Sequence, residues 1–198
     1  MADKGLEIVA VAQDSGGEAA AGPFYDRAKA TYATLLDPMH TVTSLYAMVN
    51  VPSGVWIDEQ GMIVRPPEVA YSKPYDFGGL KVGDDRYVAG LRDWVKNGAA
   101  SPFVMSKEML AEKLEAQSNE RPLADAHFKL AVFLYRRGDE EEAAVHWQEA
   151  QELDPWNWNY HRQEWTFDPT TTSENWLKKF QELNGRPYYE PADLPDGR

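Results

Sequence analysis

Residues 51–66 read VPSGVWIDEQGMIVRP, and the fold turns on them. Two apolar runs, at 54–58 and 62–65, flank Glu59, Gln60 and Gly61. That pattern predicts strand, tight turn and strand, with Gly61 able to supply the positive φ such a turn needs. The acids Asp58 and Glu59 fall at the turn, where ordinary turn chemistry accounts for them. Upstream, LEIVAVA at 6–12 is short, β-branched and almost continuously apolar, which suits a strand buried on both faces of a largely parallel sheet. Between them, EAAAGPFYDRAKATY at 18–32 predicts a helix with Ala20, Phe24 and Ala28 spaced four apart and Pro23 marking a restart or a kink. Residues 31–36 predict a second short strand closed by Asp37 and Pro38, and 42–49 one or two helical turns.

Downstream of the hairpin, Pro66 and Pro67 open a polar connection expected to run as a loop to about Gly83. Asp84 then caps a helix whose apolar stripe is Tyr87, Val88, Leu91, Trp94 and Val95, with Gly98 as its stop. This helix is expected to pack on the hairpin. Strand patterning ends by Ser101, so the sequence divides into 1–100 and an all-helical 101–198. Ser106 can cap a helix reaching Gln117 that carries Met109, Leu110 and Leu114. Pro122 begins another, with a stripe of Ala126, Leu130, Phe133 and Leu134.

Residues 124–157 span 34 positions and place Leu130, Ala131, Leu134, Gly138, Ala143, Trp147, Ala150 and Pro155 where a tetratricopeptide repeat has small or apolar residues. Ala131 and Ala143 permit close approach of two antiparallel helices, Gly138 makes the turn, and Pro155 ends the second helix. One repeat cannot bury both its faces, so it needs neighbours: the helices at 106–117 and 173–183, or the sheet. Two readings follow, a buttress for the first domain or a groove for a protein or peptide partner. The aromatic stretch WNWNYHRQEWTF at 156–167 is read as core or capping residues and not as a stacking platform for sugars or bases.

Composition narrows the function. A formal charge of −12 repels phosphate backbones, so nucleic acid is not an expected partner. No apolar run approaches about 18 residues, so neither a membrane span nor an export signal is expected, and a soluble, cytoplasmic chain is. The absence of cysteine removes thiolate nucleophiles, disulfides and thiolate metal sites from these residues. His40, His127, His146 and His161 lack a metal-ligand spacing such as HExxH and are read as satisfied or exposed. No metal, cofactor or catalytic residue is expected. Ser53 lies outside any GxSxG elbow, and no phosphate loop is present.

At VNVPSGVWIDEQGMIV the sequence resembles thioredoxin-like redoxins, the AhpC/TSA-related thiol oxidoreductases, in which a valine–proline pair precedes the closing hairpin. ADKGLEIVAVAQD resembles the strand after their redox helix. LRDWV, HFKLAVFLYRRGDEEEAAVHWQEA and NWNYHRQEW resemble a bacterial redoxin subgroup with a repeat tail. The resemblance implies an α/β thioredoxin-like sheet followed by an all-α tetratricopeptide-like region. It also implies a cis bond before Pro52, with Val51 and Pro52 as substrate-binding elements whose backbone pairs with an extended substrate.

The redox motif of such proteins, two cysteines or a related chalcogen pair, lies just before the strand that LEIVAVA resembles, and these residues do not contain it. The chain as written is therefore expected to be redox-inert, the C-terminal part of a thiol-disulfide or peroxide oxidoreductase. Some relatives resemble selenoproteins, in which a stop codon encodes selenocysteine, so Met1 is readable as the next methionine after it. A sheet without its central strand favours strand exchange or a homodimer. The competing reading is a non-enzymatic interaction module that uses the repeat helices.

Overall fold

The computed structural model describes residues 5–77, 80–115 and 120–195. These form a mixed α/β structure with eight α-helices and six short strands. The expectation of one sheet uniting the early strand with the hairpin is not met. Strand β1 (Val9–Ala12) pairs in parallel with β2 (Ala33–Leu36) across helix α1 (Gly17–Ala28). Strand β3 (Ser53–Ile57) pairs antiparallel with β4 (Ile63–Val69), and β5 (Tyr75–Phe77) with β6 (Leu80–Val82), as separate two-stranded sheets. The reason is connectivity: among the described residues β1 and β3 each have a strand on one side only, and none bridges the two.

Packing groups the described residues into two compact units assembled from separated stretches of the chain. One unit comprises residues 5–7, 50–115 and 185–195. Its hairpin turn is built as expected: Gly61 has φ +79°, and the Asp58 carboxylate accepts the Gln60 and Met62 amides at 3.0 and 2.8 Å. Strand β4, however, runs through Pro66 and Pro67 instead of ending there. The register shifts between the Gly54–Glu68 and Trp56–Arg65 pairs, an irregularity at which prolines without N–H groups are tolerated. Beyond it, β5 and β6 replace part of the expected loop.

Helix α3 (Asp85–Asn97) is capped by the Asp84 carboxylate, which accepts the Arg86 amide at 2.8 Å. It packs on the hairpin as expected, through Tyr87 and Trp94 against buried Trp56, with the two indoles stacked at 5.3 Å. Helix α4 (Lys107–Glu115) begins at Ser106, whose hydroxyl accepts the Met109 amide; its expected end at Gln117 lies outside the described residues.

The other unit comprises residues 8–49 and 120–184. It holds β1, α1, β2 and the short helix α2 (Thr41–Leu45), with α5 (Arg121–Arg137), α6 (Glu140–Leu153), α7 (Trp158–Thr166) and α8 (Thr172–Glu182). Helices α5 and α6 form an antiparallel hairpin turned at Gly138, where φ is +87°. Their shared face is made of fully buried Ala124, Ala131, Ala143 and Ala150, with Phe128, Val132 and Trp147 beside them.

The stripe expected for α5 is met only at Leu134, which is buried: Ala126 is exposed, Leu130 and Phe133 are 40% and 49% exposed, and the buried face carries Phe128 and Ala131. On α1 the expected stripe fails too, since Phe24 and Ala28 are exposed while Ala21 and Gly22 are buried; the helix continues through Pro23. The aromatic stretch is core: Trp158, Tyr160 and Trp165 are buried, and Tyr160 stacks on Phe128 at 4.7 Å.

Strand β1 departs furthest from expectation. Instead of being buried on both faces, it leaves Val9 57% exposed, with Ile8 and Leu35 beside it at 44% and 52%.

Candidate functional site

The Val51–Pro52 peptide bond is cis, the form the resemblance implies. Buried Asn50 organises the loop: its side-chain oxygen accepts the Val51 amide at 2.9 Å, and its backbone carbonyl accepts the Ser53 hydroxyl at 2.6 Å. Ser53 is thus committed to holding the turn. The Pro52 carbonyl accepts the Ala70 amide at 3.1 Å, which ties the loop to the far end of the hairpin.

The Val51 carbonyl, the group the resemblance assigns to pairing with an extended substrate, already accepts a hydrogen bond. The Tyr189 hydroxyl donates to it at 2.8 Å and lies 3.2 Å from the Tyr71 hydroxyl. The Asn50 side-chain amide donates to the Tyr188 carbonyl at 3.1 Å, so residues 188–189 are held against the loop from two sides. Farther along, Arg65 donates to the Asp193 carbonyl at 2.6 Å, the Asp193 amide donates to Glu68, and Leu194 is buried against Trp56 and Tyr87. The C-terminal stretch is therefore a strap across the hairpin. No periodicity or motif in its Pro-rich sequence announces this role; its partners are over a hundred residues away along the chain.

The four histidines fall into two kinds. His40 is buried, with Nε2 2.9 Å from the Gln163 side-chain oxygen, which also accepts the Ser15 amide. An oxygen there requires Nε2 to carry the proton, which leaves Nδ1 as a bare lone pair without a hydrogen-bond partner. Burial lowers the pKa of His40 despite Gln163 and Asp37, consistent with a neutral ring. His161 is also buried, and desolvation, reinforced by Lys179, lowers its pKa to about 4. In contrast, His127 on α5 and His146 on α6 are half-buried and face each other, with Nδ1 atoms 2.9 Å apart and ring centroids 5.1 Å apart.

Among the described residues no group of three or more His, Asp and Glu is placed to share a metal ion. No described helix is long and apolar enough to cross a membrane. The chain matches no family model, no curated protein and no solved structure.

Proposed function

We propose that these residues form the thiol-free part of a thioredoxin-like redoxin, a thiol-disulfide or peroxide oxidoreductase, followed by a tetratricopeptide-like helical region. In this reading the strand and helix that bear the redox Cys or selenocysteine come from outside the 198 residues, and Val51 and Pro52 are the substrate-side elements, an extended substrate taking the place of the Tyr189 hydroxyl on the Val51 carbonyl. The element order supports it: strand, helix and parallel strand, then a short helix, an antiparallel hairpin and a helix packed upon it. The observation that carries it is the mismatch on β1. Among the described residues this strand, composed for burial, has one strand neighbour, and Ile8, Val9 and Leu35 are each about half exposed. A further strand laid along β1 would satisfy its backbone edge, and a helix packed on the sheet face would cover Val9 and Leu35.

With no cysteine to form a thiolate, the chain alone cannot attack a disulfide or a peroxide. The test is insulin reduction and peroxide consumption by the product of the full open reading frame, beside the 198-residue chain. The short chain is expected to be inactive in both. The full product is expected to be active and to lose activity when its redox residue becomes serine. An inactive full product, or upstream DNA with neither an in-frame TGA nor a cysteine codon, overturns the reading.

One observation favours a second reading, a non-enzymatic interaction module. Leu123, Ala126, Leu130 and Phe133 form an exposed stripe on α5 at spacings of three and four, the pattern by which one helix receives another. If the full product lacks redox activity, lysine at Leu130 and Phe133 is expected to abolish binding of a protein partner without unfolding the chain.

A further inference from the structure

We propose that His127 and His146 form a binding site for a divalent transition-metal ion of the copper or nickel class, clipping α5 to α6. Ala124, Ala131, Ala143 and Ala150 are fully buried between the two helices, so the backbones that carry the histidines are held close by packing. The two Nδ1 atoms stand 2.9 Å apart, a separation that admits one proton between them and no more. In that contact one ring carries its proton on Nδ1 and the other on Nε2.

Replacing the shared proton with a metal ion needs both Nδ1 lone pairs, so both rings carry their proton on Nε2. Two neutral rings reach that state by a tautomer change in one, with no net proton released. Metal–imidazole bonds are about 2.0–2.1 Å, so a 2.9 Å span between donors encloses about 90° at the metal. That is the angle between adjacent ligands in square-planar or octahedral coordination, whereas a tetrahedral ion needs its donors about 3.3 Å apart. The span therefore suits Cu²⁺ or Ni²⁺ better than Zn²⁺. Rotation about the soft terminal torsion of each side chain turns both lone pairs toward one point. Both rings are half-buried, so water has access to the remaining coordination positions.

Elsewhere in the chain His40 and His161 are buried and there is no cysteine, which leaves the amino terminus as the competitor for Cu²⁺.

The test is calorimetric titration of the 198-residue chain with CuCl₂, NiCl₂ and ZnCl₂ in a weakly coordinating buffer. It is paired with electron paramagnetic resonance of the Cu²⁺ complex. One equivalent of Cu²⁺ is expected to bind with a spectrum showing imidazole nitrogen ligation, and Ni²⁺ is expected to bind more tightly than Zn²⁺. His127→Gln and His146→Gln should each lower the affinity at least about tenfold, and the double variant should keep only the background of the amino terminus. Equal binding by the wild type and a folded double variant overturns the site. So does a wild-type spectrum without imidazole nitrogens, a result that needs no variant to fold. Tighter binding of Zn²⁺ than of Ni²⁺ overturns the metal class.

Discussion

Arg65 carries a full positive charge into a site where only 1% of its side chain meets water. Its Nε and one Nη contact the Glu68 carboxylate at 2.8 and 2.7 Å, and other N–H groups donate to the Phe103 and Asp193 carbonyls at 2.7 and 2.6 Å. The Trp56 ring lies 5.4 Å from the guanidinium carbon. One planar fork thus joins the hairpin, the segment after α3 and the C-terminal strap. Arg65→Ala strands the Glu68 carboxylate, so a loss of about 3–5 kcal/mol in urea unfolding is expected. Arg65→Lys is expected to recover little of it, because one ammonium cannot reproduce the fork. The double variant Arg65→Met with Glu68→Met should be milder than Arg65→Ala, and equal losses would show that the stranded charge is not the cause. His161 makes a second residue-level case. Its pKa falls from 6.5 unfolded to about 4 folded, so below pH 6.5 the unfolded chain takes up a proton that the folded one refuses. Stability from this group is complete above about pH 6.5 and is lost as pH falls through about 4, to a total of about 3 kcal/mol. Unfolding midpoints measured across that range should flatten in His161→Gln; an unchanged acid slope would remove His161 as its source.

What the sequence reveals at the scale of elements depends on how far each signal reaches along the chain. The hairpin turn is local: Asp58 and Gly61 decide it within four residues, and it is read correctly from them. The Asp84 cap and the Gly138 turn are local in the same way. Helix faces are harder. Helix α5 offers two apolar stripes, one through Leu123, Ala126, Leu130 and Phe133, the other through Ala124, Phe128 and Ala131. Periodicity ranks the first at least as high, and only the small residues demanded by close helix packing point to the second. The histidine pair was within reach of the sequence once the turn was placed. Residues opposite one another across Gly138 have numbers summing to nearly the same value, as Ala131 with Ala143 does, and His127 with His146 obeys the rule. Strand neighbours were not legible at all, because β1 and β3 read as members of one sheet while a sheet's membership is decided by long-range pairing. The strap was equally hidden: Tyr188, Tyr189 and Asp193 act on the Pro52 loop and the hairpin through single contacts that leave no pattern.

For the molecule as a whole, the question is what covers the sheet of β1 and β2. Buried apolar side chains in a strand are each worth about 1.5–3 kcal/mol, whereas substitutions at exposed positions usually change stability by no more than about 0.5 kcal/mol. Val9 and Leu35, both more than half exposed, belong to the second class in the 198-residue chain. If a redox-bearing strand and helix pack upon them in the full product, they move to the first. The double variant Val9→Thr with Leu35→Thr separates the cases, because threonine has the β-branched shape that strands favour and places a hydroxyl where an apolar group stood. In the 198-residue chain the variant is expected to unfold within about 1 kcal/mol of the parent, the sum of two exposed-site effects. In the full product the same pair should cost about 3 kcal/mol or more, because two hydroxyls are then buried against apolar neighbours. Equal, small effects in both backgrounds would mean that this sheet stays open to water whatever else the gene encodes, and the redoxin reading would lose the observation that carries it.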